Sequence, residues 1–327
     1  MGFKMSCIKL IFLVSLLPIL AGCSGTEVAS GSSGGSSGLI NITSVEFTSR
    51  TSTCSSYVGS YYSNVTDVNN GSSFTGYLNI STSSDGSSCT FSSNGIPNHS
   101  FNDGDSSFAT DVSEVSQTFT VPLGPSDAST EADLSLDVDD GVFLNGAKLD
   151  LLPAACYGVG SEPLGYEKTG CNDDDTPWRY DPMYSGNDFS TDTHNAHSQP
   201  DGAYHYHGNP LAMFDNSSPT VASPLIGYAA DGYPIFGPYI DDSGSIREVV
   251  SGYTLKTGSR VSQSGEGAFP GGSYDGTFRD DYEFTNAGDL DECNGMEVDG
   301  VYGYYVTNAF PWVLNCFKGD VQSSFNK

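Results

Sequence analysis

Past residue 39 the chain never sustains a helical apolar period over three turns, and that absence sets the fold class. Apolar residues fall instead in short runs that end at turn residues. Ile40-Asn41-Ile42, Tyr77-Leu78-Asn79-Ile80, Gln117-Thr118-Phe119-Thr120-Val121-Pro122 and Gly141-Val142-Phe143-Leu144-Asn145-Gly146 are examples. The 39 glycines, 19 tyrosines and 18 phenylalanines suit strands and turns. The expected class is mainly β, with antiparallel sheets, long loops and disulfide staples.

An internal echo refines this. Asp201-Gly202-Ala203-Tyr204-His205-Tyr206-His207 recurs as Asp299-Gly300-Val301-Tyr302-Gly303-Tyr304-Tyr305. Each copy joins an Asp-Gly turn to a strand with alternating aromatics. Asp231-Gly232-Tyr233-Pro234 is a looser third relative. The simplest architecture is a pair of pseudo-repeated hairpins in one core. Residues 39–110 are rich in Ser, Thr, Asn and Gly and read as a small strand-rich region, with a disordered stalk as the competing reading. Residues 111–327 read as the main domain.

The amino terminus reads as an address. Lys4 and Lys9 precede the apolar run Leu10 to Leu20, too short to span a bilayer comfortably. Leu20-Ala21-Gly22-Cys23 resembles a bacterial lipobox, which implies that residues 1–22 are removed and Cys23 is lipidated. Ser24, where an aspartate would imply inner-membrane retention, favours an outer-membrane lipoprotein. Residues 23–38, with Gly31-Ser32-Ser33-Gly34-Gly35-Ser36-Ser37-Gly38, read as a flexible tether. Acyl chains are then the expected membrane attachment.

Of eight cysteines, Cys7 leaves with the leader and Cys23 carries lipid. The six that remain argue for disulfides in an exported chain, although many pairings are open. Neighbours in sequence suggest Cys54–Cys89, Cys156–Cys171 and Cys293–Cys316. No Cys-x-x-Cys is present, which argues against a thiol redox motif or zinc ribbon. Twelve basic and 40 acidic side chains give a formal charge of −28 and no basic footprint for nucleic acid.

Four of the five histidines, His194, His197, His205 and His207, fall within one short segment. Residues i and i+2 of a strand share a face, so His205 and His207 can reach one ion while Tyr204 and Tyr206 pack on the other side. His194 and His197 precede a Pro-Asp-Gly turn that folds them back over that strand. Four convergent imidazoles suit copper, zinc or nickel, and the affinity order favours copper. Gly303 and Tyr305 replace the strand histidines in the second copy, so the hairpin does not need histidine to fold. Asp192, Asn195, Asp201 and Asp231 are candidates for orienting the rings. Asp173-Asp174-Asp175, Asp137-Val138-Asp139-Asp140 and Asp289-Leu290-Asp291-Glu292 are weaker calcium candidates, because none has EF-hand spacing.

The run from His194 to Gly208, centred on Tyr204-His205-Tyr206-His207, resembles the YHYH-domain family of exported bacterial proteins. The likeness extends to Cys156-Tyr157-Gly158-Val159-Gly160, to Pro177-Trp178-Arg179 and to the stretch from Pro224 to Tyr239. It continues through Leu290-Asp291-Glu292-Cys293-Asn294-Gly295 and on to Cys316-Phe317-Lys318-Gly319, covering roughly residues 115–320. It implies family and export but no particular reaction, and Gly303 departs from a histidine or polar residue expected in some relatives.

The leading expectation is an envelope lipoprotein that binds a transition metal for capture or buffering, its partner being a metal ion or small ligand. One alternative is a metal-dependent hydrolase or oxidase with an open coordination position, Asp192 or Asp231 acting as base. Another is a carbohydrate-binding or adhesion module in which the tyrosine face of the hairpin stacks on sugars.

Overall fold

The computed structural model describes residues 38–327 except 161, 162, 166, 167, 218 and 266. The leader, Cys23 and nearly all of the tether lie outside the described residues. Gly38–Lys327 forms one compact unit. Its regular elements are strands and four single-turn 3-10 helices. The mainly β expectation holds.

Ile40–Asn41 (β1), Gly59–Thr66 (β2), Ser73–Thr82 (β3), Ser88–Ser93 (β4) and Gln117–Pro122 (β5) form one sheet in sequence order. Of the two readings of residues 39–110, strands are therefore what the structure has. The sheet also crosses the division drawn at 110, because β5 pairs with β4 from Ser88↔Pro122 to Ser93↔Gln117. Alternation decides its faces: Leu78 and Ile80 of β3 are buried, whereas Tyr77 and Asn79 are exposed. The β3–β4 turn is fixed locally, with Ser83 Oγ and Asp85 Oδ1 accepting the Ser87 N–H and Gly86 at φ +69°.

Asp127–Asp133 (β6) pairs with the late strand Cys316–Gly319. Next come Gly141–Phe143 (β7), Lys148–Leu149 (β8), Ala196–Ser198 (β9), Tyr204–Tyr206 (β10), Leu225–Ala229 (β11) and Pro234–Phe236 (β12). Two ribbons follow, Tyr239–Asp242 (β13) with Ser245–Glu248 (β14) and Tyr253–Leu255 (β15) with Tyr282–Phe284 (β16). The chain ends with Gly295–Val298 (β17), Val301–Tyr305 (β18) and Cys316–Gly319 (β19). An eight-stranded sheet has the order β17-β18-β12-β11-β7-β8-β10-β9. Its core joins that of the first sheet, where Phe91 meets Tyr228 at 5.7 Å between ring centroids. Burying each such side chain contributes roughly 1.5–3 kcal/mol.

The order reads as two matching halves about the antiparallel β7–β11 pair. In each half a hairpin (β7–β8, β11–β12) receives the last strand of a second hairpin in parallel, β10 beside β8 and β18 beside β12. The likeness is atomic. Asp192 Oδ1 accepts the N–H groups of His194 and Ala196, while its Oδ2 accepts the Tyr204 hydroxyl. Asp291 Oδ1 accepts those of Cys293 and Gly295, and its Oδ2 the Tyr302 hydroxyl. Asn195 and Asn294 both take left-handed backbone, φ +61° and +69°. The pseudo-repeated hairpins are real and occupy opposite edges of one sheet.

All three expected disulfides are present: Cys54–Cys89, Cys156–Cys171 and Cys293–Cys316. They close stretches separated by 35, 15 and 23 residues, each limiting the freedom of the unfolded chain by about 3–4 kcal/mol.

Candidate metal centre

The edge hairpin β9–β10 turns at Asp201-Gly202, where Gly202 takes φ +86° and Asp201 Oδ1 accepts the Ala203 N–H. Its register sets His205 opposite His197. His207, two residues beyond His205, shares their face. The ligand atoms of these three histidines lie within 4.8 Å of one another. His205 Nε2 is 3.0 Å from His207 Nε2, which is 3.1 Å from His197 Nε2.

Their outer nitrogens fix the tautomers. His197 Nδ1 is 2.7 Å from the Phe189 carbonyl and His205 Nδ1 is 3.3 Å from that of Ala203. A carbonyl only accepts, so both Nδ1 atoms carry the proton and both Nε2 atoms present lone pairs. One proton on His207 Nε2 can satisfy one neighbour and would leave His207 Nδ1, which has no well-formed hydrogen bond, as a bare buried acceptor. A cation satisfies all three lone pairs together. Protonation is disfavoured, since burial and then the neighbouring imidazoles hold His205 and His207 well below the ordinary histidine range. Three neutral imidazoles are a good donor set for a transition metal, and tetrahedral coordination leaves a fourth position.

His194 does not join them. The left-handed Asn195 turns the chain over, so the His194 ring lies against His99, tilted at 48° with centroids 4.0 Å apart, and its Nε2 is 3.9 Å from Asp103. This is the tyrosine side of β10, where His99 Nε2 lies 2.5 Å from the Tyr206 hydroxyl. Strand alternation sends histidines one way and tyrosines the other, and His194 ends with the tyrosines.

The four expected ring-orienting residues are used elsewhere. Asp192 and Asp201 brace turns, Asn195 Nδ2 donates to the Asn209 carbonyl, and Asp231 accepts the Tyr304 hydroxyl in the second half. The orienting acceptors are instead the carbonyls of Phe189 and Ala203. Nor are Asp192 and Asp231 placed as bases for the triad, being bonded to Tyr204 and Tyr304. Tyr204 and Tyr206 are fully buried, so the hairpin offers no stacking face for sugars.

Two residues without an assigned role stand beside the triad. Lys148 of β8 pairs with His205 across the sheet and bonds Asp139 at 2.6 Å. Asp150 Oδ2 takes hydrogen bonds from Gln199 Nε2 (2.6 Å) and Lys327 Nζ (2.7 Å), while its Oδ1 has no partner among the described residues. Beside them burial, then Asp150, pushes Asp140 up to about 8. Nothing in the sequence sets Lys148 opposite His205, because that pairing is made by the sheet.

The acidic loops serve turns and ion pairs: Asp173 Oδ1 accepts the Asp175 N–H, and Asp289 holds Arg247. Among the described residues no three carboxylates gather as a calcium site would require. A second grouping, Glu131 with Cys293 and Cys316, offers no thiolate because the cysteines are disulfide-bonded.

A family model described as YHYH protein matches residues 118–319, a span that includes the triad. No curated protein and no solved structure matches.

Proposed function

The chain belongs to the YHYH protein family, and from that premise we propose that it binds one transition-metal ion through His197, His205 and His207. Copper is favoured over zinc, because imidazole nitrogen at a site outside the cytoplasm takes copper first in the affinity order. The task is capture or buffering of the metal at the bacterial envelope, with the chain held to the outer membrane by lipid on Cys23. Among the described residues no helix is long and apolar enough to cross a membrane.

The observation that carries this reading is the meeting of three Nε2 atoms, two of them, on His197 and His205, with the outer nitrogen committed to a carbonyl. The test is elemental analysis of protein purified without an affinity tag, with paramagnetic resonance to identify copper(II). One equivalent of metal in the wild type and none in His205→Ala/His207→Ala supports it. Equal, negligible metal in both sinks it.

A metal-dependent hydrolase is a second reading, favoured by three ligands rather than four and by the unpartnered Asp150 Oδ1 on the same side of the sheet. Here the metal would activate a water and Asp150 would take its proton. An exchangeable fourth ligand, detected as azide-induced spectral change, supports this reading over closed storage.

A further inference from the structure

The first sheet has an outer face unlike the rest of this acidic chain. None of its four long strands, β2 to β5, carries a charged side chain, although the protein holds 40 carboxylates. Register turns this into a surface. Ser60 pairs with Asn79, Asn79 with Ser92, and Ser92 with Thr118, giving one hydroxyl and amide row across four strands. In the next row Tyr62 stands directly opposite Tyr77, whose side is 49% exposed.

These two rows enter a groove of about 530 Å³ lined by Ser60, Tyr77, Asn79, Ser92 and Thr118 among others. The one charged residue of its lining, Glu114, accepts a hydrogen bond from Asn94 Nδ2. The polar atoms are also underused. Asn79 Oδ1 accepts from Ser60, but Asn79 Nδ2, the Tyr77 hydroxyl and Thr118 Oγ1 make no hydrogen bond to a described residue.

We propose that this groove binds a neutral glycan. A sugar ring offers apolar C–H faces to an exposed tyrosine and hydroxyls to amide and hydroxyl rows. The absence of charge speaks against an acidic or basic partner, which such a surface could neither attract nor pair. The surface is shallow and open, and it lacks the large apolar core on which a globular protein partner docks. The site is lined by residues from Leu39 to Thr118, almost entirely before the family match, so it would be this chain's own addition to the metal-binding domain.

The test is a titration of the full chain with β-glucan, chitin, mannan and α-glucan oligosaccharides, and with heparin and alginate fragments as charged controls. The expected result is saturable binding of at least one neutral glycan, at least ten-fold weaker in Tyr77→Ala and in Asn79→Ala. Both positions are exposed, and unchanged thermal midpoints confirm that these variants fold. The His205→Ala/His207→Ala protein keeps its glycan affinity, which separates this site from the metal reading. Absence of binding to every neutral glycan at millimolar concentration overturns the proposal, as does preference for the charged controls or unchanged affinity in both variants.

Discussion

The Nε2 of His205 stands 3.0 Å from the Nε2 of His207. Two bare imidazole nitrogens do not rest at that distance unless a proton or a cation lies between them; the one proton of a neutral His207 can bridge a single pair only, and burial opposes charging any ring with a second. His194 is outside this arrangement, against His99. The expected outcome is that His194→Ala retains the wild-type metal content, while His197→Ala, His205→Ala or His207→Ala each lowers affinity at least a hundred-fold. Elemental analysis after dialysis against a buffered metal distinguishes a triad from a quartet.

Metal bound only by the folded state stabilises it by mass action, about 2.7 kcal/mol at a hundred times the dissociation constant. For a chain of this size chelation should lower the thermal midpoint by roughly 4–5 °C. The His205→Ala/His207→Ala protein should show no shift on adding chelator. Paired calorimetric scans check both.

In the second half of the sheet, Met296, Gly303 and Tyr305 occupy the places of His197, His205 and His207. A Cβ at Gly303 would meet the Phe236 ring at 2.7 Å and the Pro234 carbonyl at 3.0 Å. Aromatic packing has taken the space a second metal would need. Gly303→Ala should cost about 1–3 kcal/mol in urea denaturation, since neither ring nor backbone can yield freely. Grafting histidine at 296, 303 and 305 should yield no second equivalent of metal.

Local signals carried much of this fold. The Asp-Gly turns, the alternating Tyr204 to His207 run and the disulfides between sequence neighbours all act over short separations, and each was readable. His205 and His207 were legible because i and i+2 share a face whatever the sheet does. His194 was misplaced because the left-handed turn at Asn195 is a backbone choice that spacing does not reveal. His99, alone in its Ser- and Asn-rich region, has no role legible in the sequence, because its partner Tyr206 is 107 residues away. Asp192 and Asp231 were given to the metal because a carboxylate that braces a turn and a tyrosine has the same letter as one that orients a ring.

The proposed lipidation of Cys23 is tested by a change of compartment. Cys23→Ser should abolish incorporation of labelled palmitate and move the protein from the membrane pellet to the soluble fraction on carbonate washing. Metal content per chain should be unchanged, because the triad draws nothing from the anchor.

On the tyrosine side of β10, two buried groups respond to pH with opposite sign. Burial, then His194, holds His99 down at about 3. An unfolded histidine takes up its proton near pH 6.5, so His99 contributes stability that is present above that pH and lost as pH falls towards 3. Burial pushes Asp192 up to about 7 despite its four donors. Its contribution is present below the ordinary carboxylate range and lost as pH rises through 7. Between pH 6.5 and 4, His99→Gln should therefore lose less stability than wild type, by roughly 2–3 kcal/mol. Asp192→Asn should lose more than wild type over the same range. Urea midpoints at pH 6.5, 5 and 4 decide this, and parallel curves for all three proteins would mean that neither side chain is held in the charge state its burial dictates.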